Sequence, residues 1–246
     1  MTTGKTVFYF IKFCQREEWA DDFIKGSLYL NRLSYFQNLE AHDDDDGRQD
    51  TNEALAMWFQ PRNFHMTINN PIFGNIEITE KDLAAPTSIS YNYHAHYHVL
   101  CLYAVYTSGF ECVDAKWHLP ESREGELRRQ VRIDPRCFSF GRHAVVIAVR
   151  PFVERIKEVF RKEKRQFRAG LVHYYDDEAF NGKIPEDRIV FWKQKRFDYQ
   201  REYRIAVAPR LLGSDPLIVN IGNISAFAVK VNSDNLNEVL QINKVA

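Results

Sequence analysis

The stretch from Phe191 to Arg210, FWKQKRFDYQREYRIAVAPR, restricts the fold of this chain most. It opens with interleaved charged and aromatic residues, becomes a strand-like run from Tyr203 to Ala208, and is closed by Pro209. Gln200 and Glu202 stand two apart at the head of that run. In an extended segment their side chains point to the same side, so an amide and a carboxylate face one spot at the mouth of a strand. The competing reading is a plain strand start, with Glu202 in a salt bridge to Arg201 or Arg204 on a sheet edge. The residues alone leave both open.

The remaining sequence must supply a core around this strand. A chain of 246 residues, 45% of them hydrophobic and 14% aromatic, is long and apolar enough for one large domain or two small ones, and composition excludes disorder. Lys+Arg and Asp+Glu are both 33, so net charge makes no case for nucleic acid, membrane or acidic partners, and only local patches can. The four cysteines, Cys14, Cys101, Cys112 and Cys137, are widely spaced with no CxxC pair. Cys101, in the apolar run HVLCLYAV, reads as a small hydrophobe, and the set predicts a reducing, cytoplasmic setting without a disulfide framework. The N-terminal apolar stretch is too short and too aromatic for a signal peptide, and no run approaches the ~18 apolar residues of a membrane span.

Residues 6–14, TVFYFIKFC, predict a first strand whose one charge is Lys12. That ammonium either snorkels to water from an edge or faces a phosphate in a cleft. Residues 16–25 predict a short helix with Trp19, Phe23 and Ile24 on one face and Gly26 as its stop. Ser27–Asn31 predicts a short strand and Leu33–Phe36 a helical turn, and the aromatic residues of this unit could line a pocket. Residues 40–53 are the most polar stretch. Asp43 to Asp46 read as a solvated loop, with a hard cation as the alternative at a spacing that matches no EF-hand. Arg48, Asp50 and Glu53 follow at helical spacing, and Arg48, an arginine among acids, is a candidate site residue.

Residues 55–83 predict β-hairpins, and 87–107 is the longest β-rich run. Within it His94, His96 and His98 alternate and would share one strand face, either as a zinc or iron site lacking neighbouring acidic or cysteine ligands, or as a polar, partly exposed face. Residues 109–142 read as loop-rich with a basic piece, Arg128–Arg132. His143–Val149 predicts a buried strand, and Pro151 opens a helix with Phe152, Val153, Ile156, Val159 and Phe160 inward. The basic segment Arg161–Arg168 either complements that helix's C-terminus or forms a nucleic-acid or phosphate patch. A strand is expected at 170–175; a polar loop then leads to the apolar run 189–193 and the stretch named first, and after Pro209 come 217–221, 226–231 and a last helix capped by Ser233 with Leu236, Val239 and Leu240 inward. Without repeats or a linker, the chain reads as a single α+β domain over residues 1–246, mostly antiparallel, with about three or four helices.

No Walker loop, dinucleotide fingerprint, nucleophile elbow or HExxH stands in the sequence. Short motifs at the two ends do carry a resemblance. They are Lys12-Phe13, Gly26-Ser27-Leu28-Tyr29, Tyr35-Phe36-Gln37-Asn38 and Tyr199-Gln200-Arg201-Glu202-Tyr203-Arg204. They resemble a poorly characterised bacterial family and, beyond it, the mono-ADP-ribosyltransferases. That resemblance covers both ends of the chain and little of the middle. It implies two small packed sheets with NAD, a substrate, in the crevice between them. It implies Lys12 as a phosphate or ribose contact, Tyr29 or Tyr35 stacked on nicotinamide, and Asn31 in the same site. Gln200 would orient the acceptor and Glu202 would be the catalytic carboxylate. The chain departs from the arginine-modifying pattern: residue 12 is Lys rather than Arg, and Leu28-Tyr29-Leu30-Asn31 stands in place of Ser-Thr-Ser. Gln200 in place of Glu resembles branches that modify amide side chains or nucleobases.

The function so implied is a glycosyltransferase of toxin or phage-defence type. It would act in the bacterial cytoplasm on a protein or nucleic-acid acceptor, with an antitoxin or inhibitor protein as a partner and no membrane. Two other readings stand beside it. One is a non-catalytic nucleic-acid-binding or partner-binding module using the aromatic and arginine residues of 191–204 and Arg161–Arg168. The other is a metal-dependent nuclease using Asp43–Asp50 and His94–His98.

Overall fold

In the computed structural model, residues 4–39, 49–110, 112–113, 116–117 and 120–240 are described. The chain is mixed α+β. Eight strands form one branched sheet: β1 (Thr6–Cys14), β2 (Ser27–Arg32), β3 (His98–Thr107), β4 (His143–Ala148), β5 (Phe167–Leu171), β6 (Glu202–Val207), β7 (Leu217–Asn220) and β8 (Ala228–Asn232). The main order is β5-β6-β3-β1-β4-β8, β2 pairs with both β3 and β7, and every one of these pairings is antiparallel.

The sheet forks on β3. One edge of this ten-residue strand pairs with β6 from His98 to Tyr103. The other edge pairs with β2 at His98 and Val99, and with β1 from Tyr103 onward. Between them Leu100–Leu102 have no strand partner on that edge among the described residues. Here β1 and β2 leave β3: Lys12, Phe13 and Cys14 pair with β4, and Ser27–Leu30 pair with β7. The resemblance implies two small packed sheets; these eight strands instead form one sheet that forks on β3, and a crevice lies at the fork.

Helix α1 (Glu17–Ile24) links β1 to β2, and helix α3 (Val149–Lys162) follows β4, with the short α2 (Leu33–Gln37) between them in the chain. In α3 Phe152, Ile156 and Phe160 recur every four residues and are buried. They pack with Phe23 of α1 against Phe10, Leu102, Val145 and Ile205 of the sheet. Pro151 lies in the first turn of α3, where the backbone N–H groups have no intrahelical partner, but the helix begins two residues before it, at Val149. Gly26 ends α1 at φ +98°, and a Cβ there would stand 2.1 Å from the carbonyl oxygen of Gly222, so α1 and β2 meet in a turn only glycine fits.

Three expectations are corrected. His94, His96 and His98 do not alternate on a strand, because Asn92–Ala95 is a helical turn and β3 begins at His98. Residues 124–131 form a helix inside the stretch read as loop. Its single buried residue, Leu127, gives little periodic signal, while the Arg128–Glu124 pair at 2.7 Å and acids preceding bases along its length support it. Ahead of the last helix (Leu236–Val239), Asn232 rather than Ser233 caps the 3-10 turn Ser233–Asn235, its side chain accepting the Asp234 N–H at 3.0 Å, and Val239 is 53% exposed rather than inward.

Candidate functional site

The crevice at the fork has a volume of about 820 Å³ and collects residues from both ends of the chain. On β2 the alternation is sharp: Leu28 and Leu30 are buried in the core, while Ser27, Tyr29 and Asn31 line the crevice. Lys12 of β1, Tyr35 of α2, Gln200 and Glu202 line it as well. Of the site residues expected from the sequence, these six come together. Arg48 lies outside the described residues, as do Asp43–Asp46.

Gln200 and Glu202 reach one side by a different route from the expected extended segment. Residues 195–200 form a 3-10 helix, Arg201 is left-handed at φ 40° and ψ 47°, and β6 starts at Glu202. A non-glycine residue in that conformation costs of order 1–3 kcal/mol and needs surrounding structure to hold it. Arg201 supplies that hold, donating to the carbonyls of Gln130 and Tyr106 and lying 3.8 Å from the Tyr106 ring centre.

Beneath the crevice is a buried ionic network. Arg204 is 1% exposed, and all five of its N–H donors are used. Nε and Nη2 donate to Glu202 at 2.5 and 3.2 Å, Nη1 and Nη2 donate to Glu53 at 2.8 and 2.5 Å, and Nη1 also donates to the Val190 carbonyl at 2.9 Å. Lys193 donates to the Gln200 side-chain oxygen at 2.8 Å and stands 3.5 Å from Glu202, 3.6 Å from Glu53 and 4.6 Å from the Phe197 ring centre. The Glu202 backbone N–H donates to the Tyr174 hydroxyl at 2.8 Å. The salt bridge to Arg204 considered from sequence is thus present, but it lies in the interior, since β6 runs between β5 and β3.

The charges follow from these contacts. Burial works to raise the Glu202 carboxyl, but Arg204 and then Lys193 outweigh it and bring it from 4.5 down to about 2, so Glu202 is ionised at neutral pH. Burial likewise works against charge on Lys193, and Glu202 and Glu53 reverse it, so its pKa is raised. Cys101, read as a small hydrophobe, lines the crevice, and burial and then the Glu202 charge push its thiol up. Asp50 shifts in the opposite direction to Glu202. Burial, then the charge of Glu53, lift it from 3.8 to about 7, and its second oxygen has no partner among the described residues.

The Asp50 shift has a testable consequence. A carboxyl with a raised folded pKa favours the native state at low pH, and that contribution is lost as pH rises from the unfolded value, near 4, through about 7. Asp50→Asn is expected to be more stable than the wild type at pH 8, with the advantage shrinking toward pH 4, as read from urea midpoints at a series of pH values.

Sequence reasoning did not assign Glu53 or Lys193 to the site. Glu53 stands at helical spacing after Arg48, but residues 51–54 form a turn that ends in left-handed Ala54. The aromatic residues of 191–204 point mainly inward: Phe191 and Phe197 are buried, and Trp192 packs on Tyr175 and Phe180. In the basic segment Lys162 pairs with Glu158, Arg165 with Glu163, and Arg168 donates to the Asp187 carbonyl. Among the described residues no group of three or more His, Cys, Asp or Glu is placed to hold a metal, and no helix is long and apolar enough to cross a membrane. No family model, curated protein or solved structure matches the chain.

Proposed function

We propose that the chain is an NAD-dependent mono-ADP-ribosyltransferase, with NAD as substrate in the crevice at the fork. The observation that carries this reading is the convergence of Lys12, Tyr29, Asn31, Tyr35, Gln200 and Glu202, drawn from opposite ends of the chain, on one crevice. Its volume, about 820 Å³, suits a dinucleotide-sized ligand.

The chemistry follows from a fixed negative charge. As the bond between nicotinamide and C1′ of the ribose breaks, nicotinamide leaves with the bonding electron pair, and positive charge develops on the sugar. The Glu202 carboxylate, held ionised by Arg204 and Lys193, stabilises that charge and accepts a hydrogen bond from the 2′-hydroxyl. The acceptor then attacks C1′ and releases a proton. Tyr29 or Tyr35, each about half exposed at the crevice, stacks on the nicotinamide, Asn31 binds beside Tyr29, and Lys12 meets a phosphate or ribose. Gln200, with its amide fixed by Lys193, orients the acceptor. The biological setting that goes with the resemblance is a bacterial toxin or phage-defence effector in the cytoplasm, countered by an antitoxin or inhibitor protein. The direct test is release of free nicotinamide when the purified chain is incubated with NAD. Release that needs Glu202 supports the assignment, and its absence removes it.

A further inference from the structure

We propose that a second, basic crevice binds single-stranded nucleic acid. Its role as the acceptor site rests on the transferase reading above, whereas the binding itself does not. The crevice has a volume of about 830 Å³ and lies where the left-handed kink sends Arg201, while the neighbours Gln200 and Glu202 line the first crevice. Tyr103 lines both. A strand held in the second crevice therefore lies against the turn that carries the two candidate catalytic residues.

Charge is concentrated here in a chain that is neutral overall. Lys5, Arg129, Arg132, Arg136 and Arg201 line the crevice against two acids, Asp134 and Asp198. Asp134 is paired with Arg136 at 2.8 Å. Arg129 and Arg132 are exposed and make no ion pair among the described residues. Tyrosine rings hold the other cations: Arg136 lies 4.0 Å from the Tyr199 ring centre, and Arg201 and Lys5 lie 3.8 and 4.7 Å from that of Tyr106.

Several fixed cations spread over one crevice match a ligand whose negative charge repeats. A phosphodiester backbone engages them together, whereas a single phosphate on a peptide engages one or two. The interleaved tyrosines favour a strand whose bases are free of a duplex, since unstacked bases can lie on aromatic and guanidinium planes.

The test is fluorescence anisotropy with labelled oligothymidylate and oligouridylate over a range of salt, on the wild type and on the double variant Arg129→Ala/Arg132→Ala. Both side chains are exposed, so the variant is expected to keep its melting temperature. The wild type is expected to bind with strong salt dependence. The double variant is expected to bind at least about 10-fold more weakly, with the log–log salt slope reduced by about 1.4, or ~0.7 for each phosphate of a single strand that is no longer neutralised. The inference is overturned if the wild type does not bind, if the double variant binds equally well, or if an equal-length duplex or a phosphoserine peptide of matched charge binds as tightly. Nicotinamide release on the same proteins separates the two claims. Release without oligonucleotide binding removes this inference and leaves the transferase. Arginine-dependent binding without release removes the transferase and the acceptor role and leaves the binding crevice.

Discussion

Glu202→Gln is expected to slow nicotinamide release by ~10²–10³ while the protein stays folded and still binds NAD. That is the usual cost of removing one preorganised group that stabilises transition-state charge. Glutamine is nearly isosteric and keeps an oxygen that can accept from Arg204 Nε, which donates to Glu202 at 2.5 Å. The change therefore deletes charge more than shape. In the proposed site the ground-state contacts to NAD are assigned to Lys12, Tyr29, Asn31 and Tyr35, so affinity should change little and the loss should appear in kcat. Because the Glu202 carboxyl titrates at about 2, its charge is constant over any working pH, and no step in the rate profile between pH 4 and 8 belongs to it. Unchanged turnover in a folded Glu202→Gln protein means that Glu202 serves only the fold.

Arg204→Met is expected to lose about 3–5 kcal/mol of stability, measured by urea unfolding at pH 7, because it leaves buried carboxylates without their counter-charge. Arg204 reaches Glu53 across 151 positions of sequence, ties it to Glu202 and also meets the Val190 carbonyl. Lys193, 3.5–3.6 Å from both acids, cannot replace a fork that meets two carboxylates at once. In the wild type the depressed Glu202 pKa stabilises the fold above about 4.5, and that contribution is lost as pH falls toward about 2. Without Arg204 the Glu202 carboxyl loses its main counter-charge and its pKa rises, so the deficit of the variant against the wild type should shrink as the pH is lowered. A deficit that stays the same down to pH 3 would point to poorer packing rather than to unpaired charge.

The parts of the site that local pattern could reveal were legible. The period-two alternation of β2 sets Tyr29 and Asn31 apart from Leu28 and Leu30. Gly26 marks its start, and the glutamine and glutamate two apart do share a crevice. The route was not legible, since a lone arginine gives no notice of a left-handed kink that tertiary contacts to Gln130 and Tyr106 maintain. Glu53 and Lys193 escaped for a related reason: their partners are distant in sequence or reached through the fold, and a buried lysine looks locally like any charged residue in a strand. The histidine run misled because residues 92–95 take a helical turn that breaks the alternation. The fork on β3 could not be read from the sequence either, because one continuous apolar strand shows nothing of which partners share its edge.

The most direct measurement of whether the crevice holds NAD is calorimetric titration of NAD into Glu202→Gln, where slow turnover isolates binding, and into Glu202→Gln/Tyr29→Ala. The expected result is one-site binding in the first and affinity weaker by about 5- to 100-fold in the second, the ~1–3 kcal/mol of a removed aromatic stacking surface. Equal affinity in the two proteins, or no binding to either, would contradict an NAD site at the fork of the sheet.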